Sequence, residues 1–308
     1  MQDEAIPAKE AEFHSGFVAI VGRANVGKST LLNCMLGRKV AIVSPRAQTT
    51  RNRIQGVKTT PRGQIILLDT PGVHDTSHGS KLHRYMARVA ELSCRDVDLI
   101  LFMVDVRGAP HAEDRALVRR LAKVRSPVML ALNKIDRIPK PEVLTAIDAC
   151  RQLFNFCDIV PISALQGENV ERLEALLLER LPVGPAYFPA ETLTDQPERF
   201  LIGELIREQL MLNLHEELPH ATAVIVEEMR DTPQGKLHIG ATVLVEKESQ
   251  KGIVIGKGGQ MIKRIGELAR KEIARFAGND VYLDLWVKVK PNWSRSEVAL
   301  RELGYTER

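Results

Sequence analysis

Short apolar runs alternate with amphipathic segments between Phe17 and Arg180. The apolar runs are FVAIVG, QIILLDT, DLILFMVD, PVMLALNK and CDIVPIS, and most of each run is continuously apolar. Such runs are typical of strands that are buried on both faces of a sheet. The segments between them have helical periodicity and cover about 27–36, 80–93, 111–124, 140–153 and 169–180. This alternation predicts an α/β domain with a mostly parallel sheet and helices on both faces.

The pattern changes after the segment PVGPAYFPAETLTDQP, whose prolines indicate a linker. Beyond it, a helix precedes two strands, ATAVIVEEMR and KLHIGATVLVEKE, which are joined by the turn sequence DTPQG. A short helix, a glycine-rich loop, a long helix and the strand VYLDLWVKV follow. This order predicts a second, smaller α+β domain. The predicted divisions are a tail at 1–15, a first domain at 16–182, a linker at 183–198 and a second domain with a C-terminal extension at 199–308.

Composition narrows the class of protein only slightly. The chain of 308 residues is 44% hydrophobic and 27% charged, with a net charge of +4, which is ordinary for a soluble globular protein. Its acidic N-terminus has no apolar core, so we expect no secretory signal, and the run LILFMV is too short to span a bilayer. The cysteines lack a CxxC pair, which favours reduced thiols in the cytoplasm over metal or disulfide roles.

A phosphate-binding loop is predicted at residues 22–29, where GRANVGKS fits G-x-x-x-x-G-K-[ST]. It follows a buried strand and opens a helix, so backbone N–H groups and the helix N-terminus can surround phosphate. Lys28 is expected to reach the β- and γ-phosphates, and the Ser29 hydroxyl to bind Mg²⁺. The expected nucleotide-binding residues of this loop are Gly22, Asn25, Val26, Gly27, Lys28, Ser29 and Thr30.

Two motifs at later strand ends indicate that the nucleotide is GTP. In DTPG, Asp69 is suited to hold Mg²⁺, usually through water, and the Gly72 amide to sense the γ-phosphate. In NKID, Asp136 can accept two hydrogen bonds from guanine, and adenine lacks this donor pair. A P-loop ATPase and a metabolic kinase are the alternatives, and NKID argues against both. The remaining residues expected at the base are Asn133, Lys134, Ser163 and Ala164. The methylenes of Lys134 can cover the ring, and a backbone N–H of Ser163 or Ala164 can donate to guanine O6.

A second glycine-rich loop, GKGG at residues 256–259, lies between two predicted helices. A dinucleotide-binding fingerprint would need a glycine where Met261 stands, and a bare helix–helix turn is the other alternative. The element order instead resembles a type II K-homology (KH) domain, whose GxxG loop binds a nucleic-acid backbone. The expected RNA-binding residues are Gly256, Lys257, Gly258, Gly259, Lys263 and Arg264.

Positive charge is concentrated around this loop. Residues 251–295 contain ten basic and four acidic side chains, an excess larger than the net charge of the whole chain. This distribution is typical of a surface that follows phosphates, although a solvated basic helix explains each residue singly. Trp286 and Trp293 could stack on bases, but Trp286 alternates with apolar strand positions and is therefore predicted to lie in the core.

Taken together, the motifs resemble those of the Era family of GTPases. The resemblance runs from about residue 16 nearly to the C-terminus and rests on GRANVGKST, AQTTR, DTPG, NKID, ISA, GKGG, RFLIGELIREQL and LWVKVKPNW. It implies a GTP-hydrolysing switch that uses GTP, GDP and Mg²⁺, binds the 3′ end of small-subunit ribosomal RNA and acts in 30S maturation. It also implies a monomer in the cytoplasm, a link to cell growth and cell-cycle control, and weak peripheral contact with the inner membrane.

The resemblance also implies roles around the phosphates. Thr50 would bind Mg²⁺ together with Ser29 and Asp69, and the candidate switch residues are Thr49, Thr50 and Gly72, with Arg51 beside them. Asn25 matches a position at which related GTPases hold K⁺, so we expect potassium to stimulate hydrolysis.

Intrinsic hydrolysis is expected to be slow. Many small GTPases have a glutamine after the DxxG glycine, whereas this chain has Val73, which cannot polarise water. His74 and His78 lie in a segment expected to order on the γ-phosphate, and no catalytic base is assigned. A signalling GTPase whose basic domain touches anionic lipid is the second hypothesis. Strong anchoring is not supported, because the sequence contains no long amphipathic helix or lipidation signal.

Overall fold

The computed structural model describes residues 12–72, 80–233 and 235–306. The strands in these residues are β1 (His14–Val21), β2 (Ile54–Thr60), β3 (Gly63–Asp69), β4 (Leu99–Asp105), β5 (Val128–Asn133), β6 (Ile159–Ile162), β7 (Ala223–Asp231), β8 (Leu237–Val245) and β9 (Val281–Val289). The α-helices are α1 (Lys28–Leu36), α2 (Lys81–Leu92), α3 (Ala112–Leu121), α4 (Lys140–Arg151), α5 (Val170–Arg180), α6 (Glu198–Asn213), α7 (Glu248–Ile255), α8 (Gln260–Ala277) and α9 (Glu297–Glu302).

The first domain is built on a six-stranded sheet with the order β2-β3-β1-β4-β5-β6. Strand β1 pairs in parallel with β3 and β4, and β5 and β6 continue the parallel part of the sheet. Because β3, β4 and β5 are buried along their whole length, their sequences are apolar without alternation. The predicted α/β class with a mostly parallel sheet is confirmed.

The edge strand β2 was not predicted by the apolar pattern. It pairs antiparallel with β3, and its sequence IQGVKTT mixes polar and apolar residues because its later part is half exposed.

The two faces of the sheet carry separate apolar cores. Helices α1 and α5 contribute Leu31, Leu32 and Leu173 to one core, and α3 contributes Leu117 and Val118 to the other.

The second domain has a three-stranded sheet with the order β7-β8-β9, in which β8 and β9 are parallel and β7 is antiparallel to β8. Helices α6 and α8 cover one face, where Ile206 of α6 and Ile273 of α8 pack with Ile239 of β8. The helix–strand–strand–helix–loop–helix–strand order agrees with the predicted smaller α+β domain.

The predicted core position of Trp286 is wrong. Its side chain is 47% exposed, because alternate residues of β9 point to the face of the sheet that α6 and α8 leave open. Trp293, in contrast, is fully buried against the C-terminal segment, where it packs with Tyr305. Alternation along β9 therefore located two faces, but it could not show that only one of them is covered.

The segment between α5 and α6 lies along the first domain. Val183 forms a bridge with His14, Thr194 forms one with Gly56, and Gln64 Nε2 donates to the Phe188 carbonyl at 2.8 Å.

Cys34, Cys94, Cys150 and Cys157 are all free thiols. Burial raises the pKa of Cys94 and of Cys150 to about 11. Among the described residues, no helix has the length and apolarity required to cross a membrane.

Candidate functional site

The phosphate-binding loop connects β1 to α1 at the carboxyl edge of the sheet. Gly27 has a left-handed φ of 103°, and a Cβ atom there would lie 2.3 Å from Asn133 Nδ2. A side chain at residue 27 would therefore be strained and would displace Asn133. Helix α1 starts at Lys28 without a side-chain cap, so its first N–H groups stay available to an anion.

Lys28 is buried beneath this loop. Its Nζ donates to the carbonyls of Gly22 and Arg23, each at 3.1 Å. Burial lowers the pKa of Lys28, and the nearby Asp69 carboxylate opposes that shift. The lysine thus places a cation at the centre of the loop, where its desolvation favours an anionic ligand.

Three predicted metal ligands converge beside Lys28. Ser29 Oγ donates to Asp69 Oδ2 at 2.6 Å, and the Thr50 hydroxyl lies 2.9 Å from Ser29 Oγ. Asp69 Oδ1 is buried without a hydrogen-bond partner in the described residues, and burial raises the Asp69 pKa. Two hydroxyl groups and one carboxylate are the hard oxygen ligands that Mg²⁺ prefers. The residues present therefore fit this ion.

The predicted base-binding residues come together at the ends of β5 and β6. Ser163 Oγ donates to Asp136 Oδ1 at 2.6 Å, and the Asp136 side chain is only 17% exposed. Asn133 Nδ2 donates to the Val26 carbonyl at 2.7 Å, and Asn133 Oδ1 accepts from the Ala164 N–H at 2.9 Å. Asn133 therefore joins three loops of the site, and its side chain is occupied by protein partners.

The sequence did not single out Asp105, although it also ends a buried strand. Its carboxylate accepts from Lys134 Nζ at 2.7 Å and from Arg107 Nη2 at 2.7 Å, and these bonds hold its pKa below the ordinary range despite burial. Lys134 also donates to the Asn25 carbonyl at 2.6 Å. The position of Asp105 at the carboxyl end of a parallel strand is the signal that could have identified it.

A cleft of about 540 Å³ opens between the phosphate-binding loop, the segment that follows α1 and the loop that follows β5. It is lined by predicted residues of the P-loop, by the switch residues Thr49 and Thr50, and by Gly72 and Lys134. The lining residues that were not predicted to belong to the site are Ala24, Ile42, Val43, Ser44, Pro45, Gln48, Arg107 and Arg137. Asn25 Nδ2 donates to the Pro45 carbonyl at 2.8 Å, so the predicted potassium ligand contacts the loop that follows α1. Val73, His74, His78 and Gly79 lie outside the described residues.

The GKGG loop forms a tight turn between α7 and α8 in the second domain. Gly256, Gly258 and Gly259 all have positive φ, and no atom of the described residues lies within 4 Å of a Cβ built on Gly258 or Gly259. Helix α8 begins directly after Gly259 without a side-chain cap. Lys257, Lys263 and Arg264 are exposed around it. This turn therefore presents backbone, open space and positive charge to solvent.

Comparisons with known proteins match both domains. A family model described as a 50S ribosome-binding GTPase matches residues 17–134, and a KH domain model matches residues 217–294. An Aquifex aeolicus Era variant bound to GDP·AlF4⁻ is similar with a TM-score of 0.92 and 42% identity, over 96% of this chain and 100% of that one. Era in complex with MgGDPNP and nucleotides 1506–1542 of 16S ribosomal RNA has the same TM-score and identity, over 96% and 99%. The chain belongs to the Era family of GTPases.

Proposed function

We propose that the chain is a GTP-binding and GTP-hydrolysing switch that binds the 3′ end of small-subunit ribosomal RNA and acts in 30S subunit maturation. The observation that carries the proposal is that one chain contains two glycine-rich loops, each of which leads into a helix whose first turn has no side-chain cap. The first lies beside the oxygens of Ser29, Thr50 and Asp69, and the second is exposed in a basic domain. Solved Era structures similar to this chain hold GDP·AlF4⁻ in one case and MgGDPNP with 16S RNA in another.

The first loop determines the nucleotide state. Its backbone and Lys28 hold the phosphates, and Asp136 selects guanine by accepting from the base. Bound Mg²⁺ supplies positive charge that neutralises the phosphate oxygens. Thr50 lies close enough to Ser29 to complete the ligand set. Because switch segments order on the γ-phosphate, the position of Thr50 distinguishes the GTP-bound state from the GDP-bound state. Without a glutamine after Gly72, no side chain is assigned to orient water, and we expect slow intrinsic hydrolysis.

The second loop holds RNA. Its glycines allow a sugar–phosphate backbone to approach closely, and such loops bind about four nucleotides. Lys257, Lys263 and Arg264 supply phosphate contacts that carry no sequence information. This loop differs from the first because no serine or threonine follows Lys257 to bind a metal.

We also propose that the chain works as a monomer in the cytoplasm. Stimulation by potassium through Asn25, weak peripheral contact with the inner membrane, and a link to cell growth and cell-cycle control remain predictions from the resemblance.

The experiment that tests the RNA site compares Gly258→Asp with Gly258→Asn. Both side chains fill the same open space and tolerate positive φ, so the pair differs mainly in charge. We expect both variants to weaken binding of single-stranded RNA, with the larger loss for aspartate, and the wild-type affinity to fall steeply with salt. Wild-type affinity in the aspartate variant would exclude the GKGG loop as the RNA site.

A further inference from the structure

Arg51 crosses from the first domain into the second. It follows Thr50 directly, and its guanidinium is buried between the turn that follows α6 and the C-terminal segment. Its Nη1 donates to the Thr222 carbonyl at 2.7 Å and to Tyr305 Oη at 3.2 Å, and its Nη2 donates to the His220 carbonyl at 3.0 Å. The guanidinium carbon lies 5.8 Å from the centre of the Trp293 ring.

Among the described residues, no carboxylate lies within ion-pair distance of the buried Arg51 guanidinium. Arg51 is 2% exposed, and its partners in the described part of the chain are backbone carbonyls, a phenol and an indole ring. Its Nε is buried without a hydrogen-bond partner among the described residues, and burial lowers its pKa. Burying a charge in this way is costly. A role in stability alone would be met better by an apolar side chain of similar volume.

The rest of the loop that leads to Thr50 is also held by the second domain. Arg207 of α6 donates to the Thr49 carbonyl, and Glu208 of α6 accepts from the Val43 N–H at 2.9 Å. Arg46 donates to the carbonyl of Leu214, the C-cap residue of α6. The contacts therefore lie on both sides of Thr50, while Thr50 itself points toward Ser29 and Asp69 in the first domain.

We propose that Arg51 is a positioning residue for Thr50, and that the second domain thereby completes the Mg²⁺ site of the first. This inference rests on the proposed function and names the contact through which the RNA-binding domain acts on the nucleotide. Because residues 50 and 51 are adjacent, Thr50 cannot move far from Ser29 while the Arg51 guanidinium keeps its hydrogen bonds to the second domain. Docking of the two domains and ligation by Thr50 then form one equilibrium, and any ligand that favours one favours the other.

A GTP analogue and GDP should respond differently to loss of this contact. Thr50 is expected to reach the metal only when the γ-phosphate is present. In the full-length protein with saturating Mg²⁺, we expect Arg51→Ala to weaken GDPNP binding about tenfold and to leave GDP binding nearly unchanged. Tyr305→Phe, which removes one contact and keeps the ring, should have a smaller effect in the same direction. Arg62→Ala removes an exposed arginine at the turn between β2 and β3 and is the matched control.

The fluorescence of Trp293 provides a test that separates the two roles of Arg51. If Arg51 were only structural, its loss would not remove a nucleotide-dependent change in Trp293 emission. The chain has two tryptophans, so Trp286→Phe leaves Trp293 as the sole indole beside Arg51. In this background, exchange of GDP for GDPNP with Mg²⁺ should change Trp293 emission, and adding Arg51→Ala should abolish that nucleotide-dependent change. Emission that is altered equally in both nucleotide states would assign Arg51 to packing alone.

The possible outcomes separate this inference from the proposed function. Arg51→Ala with a wild-type ratio of GDPNP to GDP affinity would overturn the positioning role. Equal losses for both nucleotides would overturn it as well, since they would show that the residue maintains the fold without preference for a state. If the wild-type protein itself failed to bind GDPNP or RNA, the proposed function would fail instead.

Discussion

Asn133 Nδ2 donates to the Val26 carbonyl at 2.7 Å, so a side chain at the end of β5 fixes the shape of the phosphate-binding loop after β1. The same amide accepts from the Ala164 N–H through its Oδ1. The first residue of NKID thus links the phosphate-binding loop to the loop that follows β6. The Asn133 amide occupies the position in which a Cβ atom of residue 27 would otherwise lie.

Asn133→Ala should therefore destabilise the protein and weaken nucleotide binding together. The variant leaves a buried carbonyl and a buried N–H without partners, which costs about 3 kcal/mol in the free energy of unfolding. Urea denaturation measures this loss, and Asn279→Ala on the surface of the second domain should change stability by less than about 0.5 kcal/mol. Wild-type stability of Asn133→Ala would contradict the bracing role.

Asp136→Asn should remove the preference for guanine. The carboxylate is held by Ser163 and can accept two donors from the base, which an amide cannot do equally. We expect GTP affinity to fall by about 3 kcal/mol, or roughly a hundredfold. Competition binding with GTP and ATP measures the change, and Asp148→Asn on the exposed side of α4 is the control. Retained GTP affinity would refute the assignment of the base site.

The motifs located most of this cleft because each lies where a parallel strand ends, and such ends meet at one edge of the sheet. Asp105 was missed because its surroundings, VDVRG, match no motif, although its strand position was predicted. The contacts of Arg51 could not be predicted, since they depend on how two domains dock across more than 160 residues of sequence. β2 was missed for a local reason, its mixed polarity at a half-exposed edge.

Potassium should accelerate GTP hydrolysis relative to sodium. Asn25 lies at the mouth of the cleft, bonded to Pro45, which places its side chain between the phosphate-binding loop and the segment leading to Thr50. A bound cation there would add positive charge beside the phosphates. Hydrolysis rates are to be compared in KCl and NaCl at equal ionic strength, with Asn25→Ala expected to abolish the difference. Equal rates in the wild type would exclude potassium activation.

Stability should fall on mild acidification because of His220. Its pKa lies below the ordinary value of 6.5, first because the ring is buried and next because the positive charge of Arg51 is nearby, with Arg46 and His83 adding to the shift and Glu217 opposing it. The unfolded chain then takes up a proton near pH 6.5 that the folded chain resists, so stability decreases as the pH falls below 6.5.

His220→Gln should reduce this pH dependence. Urea denaturation of both proteins at pH 7.5 and 5.5 measures it, and the loss on acidification should be smaller in the variant. An identical loss in the two proteins would show that other groups cause the effect.

The central claim is that one chain joins a guanine-nucleotide switch to an RNA-binding loop. Its most direct test is the affinity of the full-length protein for single-stranded RNA from the 3′ end of 16S ribosomal RNA, measured with saturating MgGDPNP and with saturating MgGDP. We predict tighter binding with MgGDPNP, by at least about fivefold, and loss of that binding in Gly258→Asp. Equal affinities in the two nucleotide states would contradict the account.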